Sequence, residues 1–359
     1  MSKKQFSRRS FVKSTALTGG VLLSSTFSLE AMANSSNNKK LKLALVGCGG
    51  RGTGAAVQAL RADRDVELVA MADAFEDRLE SSLKAISDEL DGERSVKVKE
   101  KNRHVGFNSY QKVIDMADVV ILATPPGFRP LHFKYAIDND KHVFMEKPVA
   151  TDANGVRQVL ESAKIAKKKK LNVVVGLQRR YQNSYNSTLK LINNGDIGKI
   201  VSGQVYWNSA GVWVRKRAKG QTEMEYQMRN WYYFNWLCGD HIVEQHIHNT
   251  DIINWIKGAY PIKANGMGGS EMRMGGDRKL SQIFDHTFVE YTFPDGTKMF
   301  SQGRHLKGGW SHVAEYAHGS KGTCKVASHI EPFAGDPIRI RGAGGGHYQE
   351  QKDLIEALH

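Results

Sequence analysis

Leu41-Lys-Leu-Ala-Leu-Val-Gly47-Cys-Gly49-Gly-Arg-Gly52 decides the fold of this chain. Leu43, Ala44, Leu45 and Val46 read as a buried strand. Gly47, Gly49 and Gly52 then stand in G-x-G-x-x-G spacing, and Ala55, Ala56, Val57, Ala59 and Leu60 follow at helical spacing. Each glycine has a physical use: a tight turn, close backbone approach to a pyrophosphate, and close helix–strand packing. The phosphates would rest on the N-terminus of the helix starting near Thr53, where free N–H groups and the helix dipole favour an anion. A second apolar run, Val66 to Ala72, ends in Asp73. A carboxylate at this distance meets the adenosine ribose hydroxyls of a dinucleotide and repels a 2′-phosphate, which favours NAD over NADP.

The 359 residues leave room for two domains and a sizeable core. Apolar content of 40% and charged content of 25% fit a globular protein. The net charge is +14; Lys3, Lys4, Arg8, Arg9 and Lys13 against Glu30 contribute +4 of it, and the chain from Asn34 onward +10. The remaining cations are scattered apart from Lys167–Lys170, at an expected helix C-terminus where cations suit the dipole. No basic stripe, zinc knuckle or recognition helix accompanies them, so no nucleic acid is expected as a partner. Cys48, Cys238 and Cys324 make no disulfide framework.

The amino terminus reads as an address. Ser7-Arg8-Arg9-Ser10-Phe11-Val12-Lys13 resembles the twin-arginine export motif. Ala16 to Phe27 is mildly apolar and too short for a stable membrane span. Ala31-Met32-Ala33 resembles a signal-peptidase site and Asn34–Lys40 a polar linker. Residues 1–33 are therefore expected to be a signal peptide. The mature protein is expected to be periplasmic or otherwise exported by the bacterial twin-arginine machinery, without a membrane anchor. Free nicotinamide nucleotides are scarce outside the cytoplasm, so a dinucleotide is expected to be loaded before export and held tightly.

Downstream, helix and strand alternate. Leu79, Leu83, Ile86 and Leu90 mark one helix face that stops at Asp91-Gly92; Glu93 to Arg103 reads as a surface loop. Val119 to Ala123 is a third strand, closed by Thr124-Pro125-Pro126-Gly127, and Pro130 suits a first helical turn. His142 to Met145 delivers Glu146-Lys147-Pro148.

Strand–GxGxxG, a strand ending in Asp, a Thr-Pro loop and strand–Glu-Lys-Pro, in this order, resemble the Gfo/Idh/MocA family of nicotinamide-dependent sugar and cyclitol oxidoreductases. The resemblance runs from about 41 to the end. It implies an α/β fold: a Rossmann domain over 41–150, then an α+β substrate and oligomerisation domain over 151–359 with a large, mostly antiparallel open sheet. Relatives continue further, so the second domain is expected to be truncated. The downstream pattern agrees. Thr151-Asp152 caps a helix to about Lys169, and Asn172 to Gly176 is a strand. A helix over Tyr185 to Asn193 and a strand around Ile200–Trp207 follow. Phe284 to Phe293, Pro294-Asp295-Gly296 and Lys298 to Ser301 form a hairpin, and Tyr348 to His359 a helix.

The second functional stretch runs from Cys238 to Asp251. Glu244 and His248 are four apart and share a helix face. They resemble the family's D-x-x-x-H element, with Glu in place of Asp. The resemblance implies His248 as general base, Lys147 as the cation polarising the substrate oxygen, and Glu244 as the group orienting His248. It places Gly47, Gly49, Gly50, Arg51, Gly52, Asp73, Thr124, Pro125, Glu146 and Arg179 on the cofactor, NAD or alternatively NADP. Arg180, Tyr181, Trp231 and His241 fall to the substrate. Trp231 opens an aromatic run to Trp236 that can serve as core or as a stacking wall for a sugar. His241, Glu244 and His248 could also share a metal. The string is not H-E-x-x-H and no Cys/His cluster accompanies it, so no metal is expected.

The resulting expectation is an exported NAD(P)-dependent oxidoreductase acting on a hydroxyl of a sugar, sugar derivative or cyclitol, as a homo-oligomer. Three alternatives stand beside it. These are a glycoside hydrolase using transient oxidation, a sugar–sugar oxidoreductase with trapped nucleotide, and a non-catalytic sugar-binding module.

Overall fold

The computed structural model describes residues 40–90, 95–271, 280–342 and 344–359. The expected twin-arginine motif and cleavage site, most of the expected linker and the expected helix stop at Asp91-Gly92 lie outside them. Among the described residues, no helix is long and apolar enough to cross a membrane.

The first part builds β1 (Leu41–Val46), α1 (Gly50–Ala62), β2 (Val66–Asp73), α2 (Glu76–Glu89), β3 (Arg103–Val105), α3 (Ser109–Asp115), β4 (Val119–Leu122), α4 (Arg129–Asp138), β5 (His142–Met145), α5 (Ala153–Lys168) and β6 (Val173–Val175). The six strands lie parallel in the order β3-β2-β1-β4-β5-β6. This is the doubly wound arrangement that binds dinucleotides where the strand order reverses, beside β1. Helices cover both faces. Leu43, Leu45, Ile121 and Phe144 point to one apolar cluster, and Ala44, Val46, Val120 and Val143 to the other. Covering both faces is why these strands read as unbroken apolar runs rather than alternating ones.

The second part adds α6 (Asn183–Asn193), β7 (Ile200–Ser209), α7 (Glu223–Arg229), α8 (Asn235–Cys238), a π-helical turn (Ile242–His246), α9 (Ile247–Lys257) and β8 (Lys263–Gly269). Then come β9 (His286–Thr292), β10 (Lys298–His305), β11 (His312–Gly319), β12 (Gly322–Lys325), β13 (His329–Pro332), β14 (Ile338–Arg339) and α10 (Gly346–Glu356). The eight-stranded sheet runs β14-β13-β12-β11-β7-β10-β9-β8 and is antiparallel except between β7 and β10. α6 and α9 cover one face, burying Leu189, Ile192, Ile252 and Ile253 against Val205 and Met299.

Two expectations need correction. The parallel sheet does not end at 150: α5 and β6 belong to it, because β6 pairs with β5 through Val143–Val173 and Met145–Val175. The stretch from Glu93 to Arg103 is more than loop. It ends in a 3-10 turn at Glu100–Asn102 and enters edge strand β3 at Arg103, which pairs with Met71 of β2. Charged residues suit such an edge and hide it from periodicity. α10 returns to the first domain, burying Leu354 and Ile355 in the core that contains α1.

The glycine turn is fixed by close packing. Gly47 has φ +96°, and a Cβ there would lie 2.5 Å from the Thr124 nitrogen. A Cβ on Gly52 would lie 2.1 Å from the Gly47 oxygen, whereas Gly49 and Gly50 have nothing within 4 Å. Gly52→Ala should therefore destabilise the fold by about 2 kcal/mol or more. Gly49→Ala should cost under about 1 kcal/mol while still impairing nucleotide binding. Denaturant unfolding and nucleotide titration of the two variants check the contrast.

Candidate functional site

A cleft of about 350 Å³ opens over the β1–α1 turn. Val46, Gly47, Gly49, Gly50, Arg51 and Gly52 line its floor, Asp73 and Phe75 one end, and Thr124 and Pro125 the side above β4. The space over Gly49 and Gly50 lies at the N-terminus of α1, where N–H groups and the helix dipole suit a diphosphate. Asp73 closes β2 with its carboxylate fixed: Oδ2 accepts from the Cys48 N–H at 2.7 Å and Oδ1 from the Phe75 N–H at 2.9 Å. Burial raises its pKa, and these two backbone donors pull it back. Burial and the neighbouring Asp73 push the Cys48 thiol well above its ordinary pKa, so it is a small packed residue rather than a nucleophile. The cradle fits a dinucleotide: it is tight where helix meets strand and open where phosphates would lie.

At the end of β5 the chain delivers Glu146 and Lys147 inward. Lys147 Nζ donates to Glu244 Oε1 at 3.0 Å and also to the Glu244 backbone oxygen. Both side chains are nearly sealed, at 11% and 8% exposure. Burial raises the Glu244 pKa; the Lys147 ammonium opposes it. Sequence reading gave Glu244 to His248. The structure gives it to Lys147 because a buried ammonium needs a countercharge. Arg129, completely buried, donates to the carbonyls of Leu122 and Thr124 and faces Glu146 and Glu244. Nothing in the sequence marked it.

His248 opens α9 immediately after the π-helical turn. It is buried, and its Nδ1 has no hydrogen-bond partner. Desolvation, then the charges of Lys147 and Arg179, hold its pKa well below the ordinary 6.5. The imidazole is therefore neutral near pH 7 beside a cationic ammonium. The Trp207 ring stacks near it, 6.1 Å between centroids at 30°.

Arg51 lines the cleft floor and turns its guanidinium to two neighbouring side chains. Its Nε lies 2.9 Å from Glu146 Oε1 and its Nη2 donates to Gln58. The last helix adds two groups that the sequence reading missed. His347 Nδ1 and Glu350 Oε1 are 3.3 Å apart, and His347 feels the charges of Arg51, Glu146 and Lys147. Glu350 is fully buried, and desolvation lifts its pKa to about 8 despite Arg51.

The remaining expected residues divide. Thr124 Oγ1 meets His132 Nδ1 at 3.1 Å, and Pro125 lines the cleft. Arg179 is ion-paired with Glu315 of β11, which also accepts from Asn249 and from the Tyr185 hydroxyl at 3.2 Å. Its guanidinium stands 5.7 Å from the Trp207 ring centre, so it borders the His248 end through Trp207. Arg180 is held bidentate by Asp251, at 2.7 Å twice, over the Trp255 ring. Tyr181 faces Glu350 and Asp353 of α10. His241 packs with His305 at 4.1 Å and His246 at 6.1 Å between ring centroids. Trp231 lines the cleft with Asp73 and Phe75 rather than with His248. Among the described residues no cluster of His, Cys, Asp or Glu is arranged to hold a metal.

Residues 41–177 match the Gfo/Idh/MocA model, an oxidoreductase family with an NAD-binding Rossmann fold. A 2,7-anhydro-N-acetylneuraminate hydratase of Escherichia coli is 26% identical over 227 residues, 63% of this chain and 55% of that protein. An inositol 2-dehydrogenase of Burkholderia lata is 35% identical over 96 residues, 26% of this chain and 27% of that protein. The chain thus spans about half the length of the first curated relative and about a quarter of the second. The crystal structure of scyllo-inositol dehydrogenase from Lactobacillus casei with NAD(H) and scyllo-inositol superposes with a TM-score of 0.64 at 20% identity, covering 89% of each chain. That likeness extends the shared fold through both sheets.

Glu350 supplies a pH prediction. Its folded pKa, about 8, lies above the ordinary 4.5. Its contribution to stability is fully present below 4.5 and is lost as pH rises through 8, by on the order of 1.4 kcal/mol per pH unit. Glu350→Gln should flatten that decline in unfolding free energy between pH 5 and 8, measured by denaturant titration.

Proposed function

We propose that this chain is an NAD(P)-dependent oxidoreductase acting on a secondary hydroxyl of a cyclitol or sugar. The observation that carries the reading is that Lys147, delivered at the end of β5 of the sheet that forms the dinucleotide cradle, places its charge on the buried, neutral His248. The family match over 41–177 and the inositol dehydrogenases among the relatives support it.

Gly47, Gly49, Gly50 and Gly52 would hold the diphosphate and Asp73 the adenosine ribose. Bound nicotinamide would supply the hydride acceptor. Glu244 pairs with Lys147 and aims its amine. The ammonium polarises the substrate hydroxyl and lowers its pKa. His248, already neutral, would take the hydroxyl proton through an imidazole nitrogen, so that the carbinol carbon could give up hydride. Burial keeps water from competing for the site. Trp207, stacked on His248 and flanked by Arg179, offers a face for a ring substrate.

The export motif at Arg8-Arg9 supports an exported protein that leaves the cytoplasm with its nucleotide bound. Purified protein should then retain nucleotide through dialysis. Asp73 supports NAD over NADP.

A second reading has one observation in its favour: the E. coli relative is named a hydratase, an activity without net redox. On that reading bound nicotinamide would take hydride from the substrate and give it back within one cycle, while the same residues move the proton and a substrate bond is broken in between. Product formation with no change in reduced-nicotinamide absorbance distinguishes it from net oxidation.

Lys147→Ala and His248→Ala should each lose about 10²–10⁴-fold in turnover while retaining bound nucleotide. A panel of cyclitols and sugars, followed by reduced-nicotinamide absorbance, is the measurement. Near-normal turnover in either variant would overturn the assignment.

A further inference from the structure

The second domain also reaches the opposite end of the cleft. Trp213, Arg215, Met228, Arg229 and Trp231 line it across from Asp73, Phe75 and Arg78. All five lie outside the dinucleotide fold proper; the sequence reading gave Trp231 to the substrate and assigned the other four nothing.

This wall is built rather than incidental. Asn230 is buried, and its side chain holds Arg215 by the backbone on both sides. Oδ1 accepts from the Arg215 N–H at 2.8 Å, and Nδ2 donates to the Arg215 oxygen at 3.1 Å. The Tyr233 hydroxyl donates to the Val212 oxygen at 2.9 Å. Trp213 therefore stands on a fixed backbone, edge-on to Trp231 at 6.1 Å, with the Arg215 guanidinium 5.4 Å from its ring centre. Arg229 ties the wall to the first domain. It grips Asp77 of α2 through two hydrogen bonds of 3.0 and 3.1 Å and lies 4.1 Å over the Phe75 ring.

Two features of the wall point to a ligand. Trp213 is 43% exposed, a large apolar ring left open on the cleft. Arg78 and Arg215 have no ion pair among the described residues, although Arg229 beside them takes both Asp77 and Glu225. Like charge crowds here: Arg78 and Arg229 both disfavour the charge on Arg215. A ligand with a π face and anionic oxygens answers both features, since guanidinium groups stack on rings and bind phosphate. Next to Asp73, the adenosine end of a dinucleotide has that chemistry.

We propose that Trp213 and Arg215 form the outer wall of the adenosine subsite and hold the nucleotide in the cleft from the second domain. The proposal rests on the dinucleotide reading above and adds the residues that retain it. Trp213 covers the adenine. Arg215, with Arg78, meets the ribose and phosphate oxygens.

The test uses the full chain, stripped of nucleotide, with calorimetric titration of NAD, ADP-ribose and nicotinamide mononucleotide into wild type, Trp213→Ala and Arg215→Ala. Each variant should weaken NAD and ADP-ribose by similar factors of roughly tenfold or more, the loss expected of one cation–π or charged contact. Binding of nicotinamide mononucleotide should be unchanged, and so should the melting temperature. Affinities for ADP-ribose within twofold of wild type, or a loss confined to nicotinamide mononucleotide, overturn this proposal and leave the dinucleotide reading intact. Wild type that binds neither NAD nor ADP-ribose overturns both.

Discussion

The ion pair between Lys147 and Glu244 joins segments 97 positions apart, and its two side chains are almost sealed from water. Removing two charges from water costs several kcal/mol each, and only close geometry with further hydrogen bonds offsets it. Here Lys147 also reaches the Glu244 carbonyl. Arg129 adds a third charge, anchored to carbonyls at the end of β4. The tip of the parallel sheet and the helix of the second domain are thus fixed to one another at the place where the candidate chemistry sits. Losing either partner would strand a buried charge, so the arrangement of the site and the docking of the domains are one energetic fact.

The same dry surroundings fix the protonation states. Burial brings His132 and His246 down to about 3 and holds His248 low as well. A depressed histidine is neutral when folded and takes a proton when unfolded, so its stability is present above 6.5 and lost as pH falls toward the folded value. Glu350 has the opposite sign, losing its contribution from 4.5 up to about 8. Between 4.5 and 6.5 two imidazoles outweigh one carboxylate; above 6.5 only the carboxylate is still changing. The combined contribution of His132, His246 and Glu350 is therefore largest near the ordinary histidine pKa. Near neutral pH the buried His248 is accordingly a neutral imidazole.

The first domain was legible because its signals are local. Unbroken apolar strands follow from covering a parallel sheet on both faces, and the glycine spacing from the close packing of the β1–α1 turn. The eight-stranded sheet was less so. Glycine-rich Lys263–Gly269 and two-residue β14 carry almost no period, and residue propensities do not specify which strands pair. In the site, sequence spacing brought Lys147 and His248 forward but misassigned Glu244. Spacing of four places two residues on one helix face without saying what that face meets. Arg129, Glu315, His347 and Glu350 had no signal, since each acquires its role from a partner distant in sequence. Arg180 looked like a ligand and proved to be satisfied by Asp251, a contact that only the fold creates.

Among the described residues, ion pairs of unequal strength join the second domain to the first, one at the end of β5 and one beside the cleft. Lys147–Glu244 is buried; Arg229–Asp77 has side chains 23% and 60% exposed. Exposed pairs are worth about 0–1 kcal/mol and are screened by salt, whereas breaking a buried pair costs roughly 3–5 kcal/mol. Arg229 also caps the Phe75 ring, which adds a comparably modest amount at a partly exposed site. The two ends of the cleft are therefore not equally locked. Any opening that admits or releases a nucleotide proceeds more easily at the Asp73 end, while the Lys147–His248 end stays assembled. A fold made this way can exchange or trap its carrier by adjusting a few surface contacts, without disturbing the groups that handle the proton.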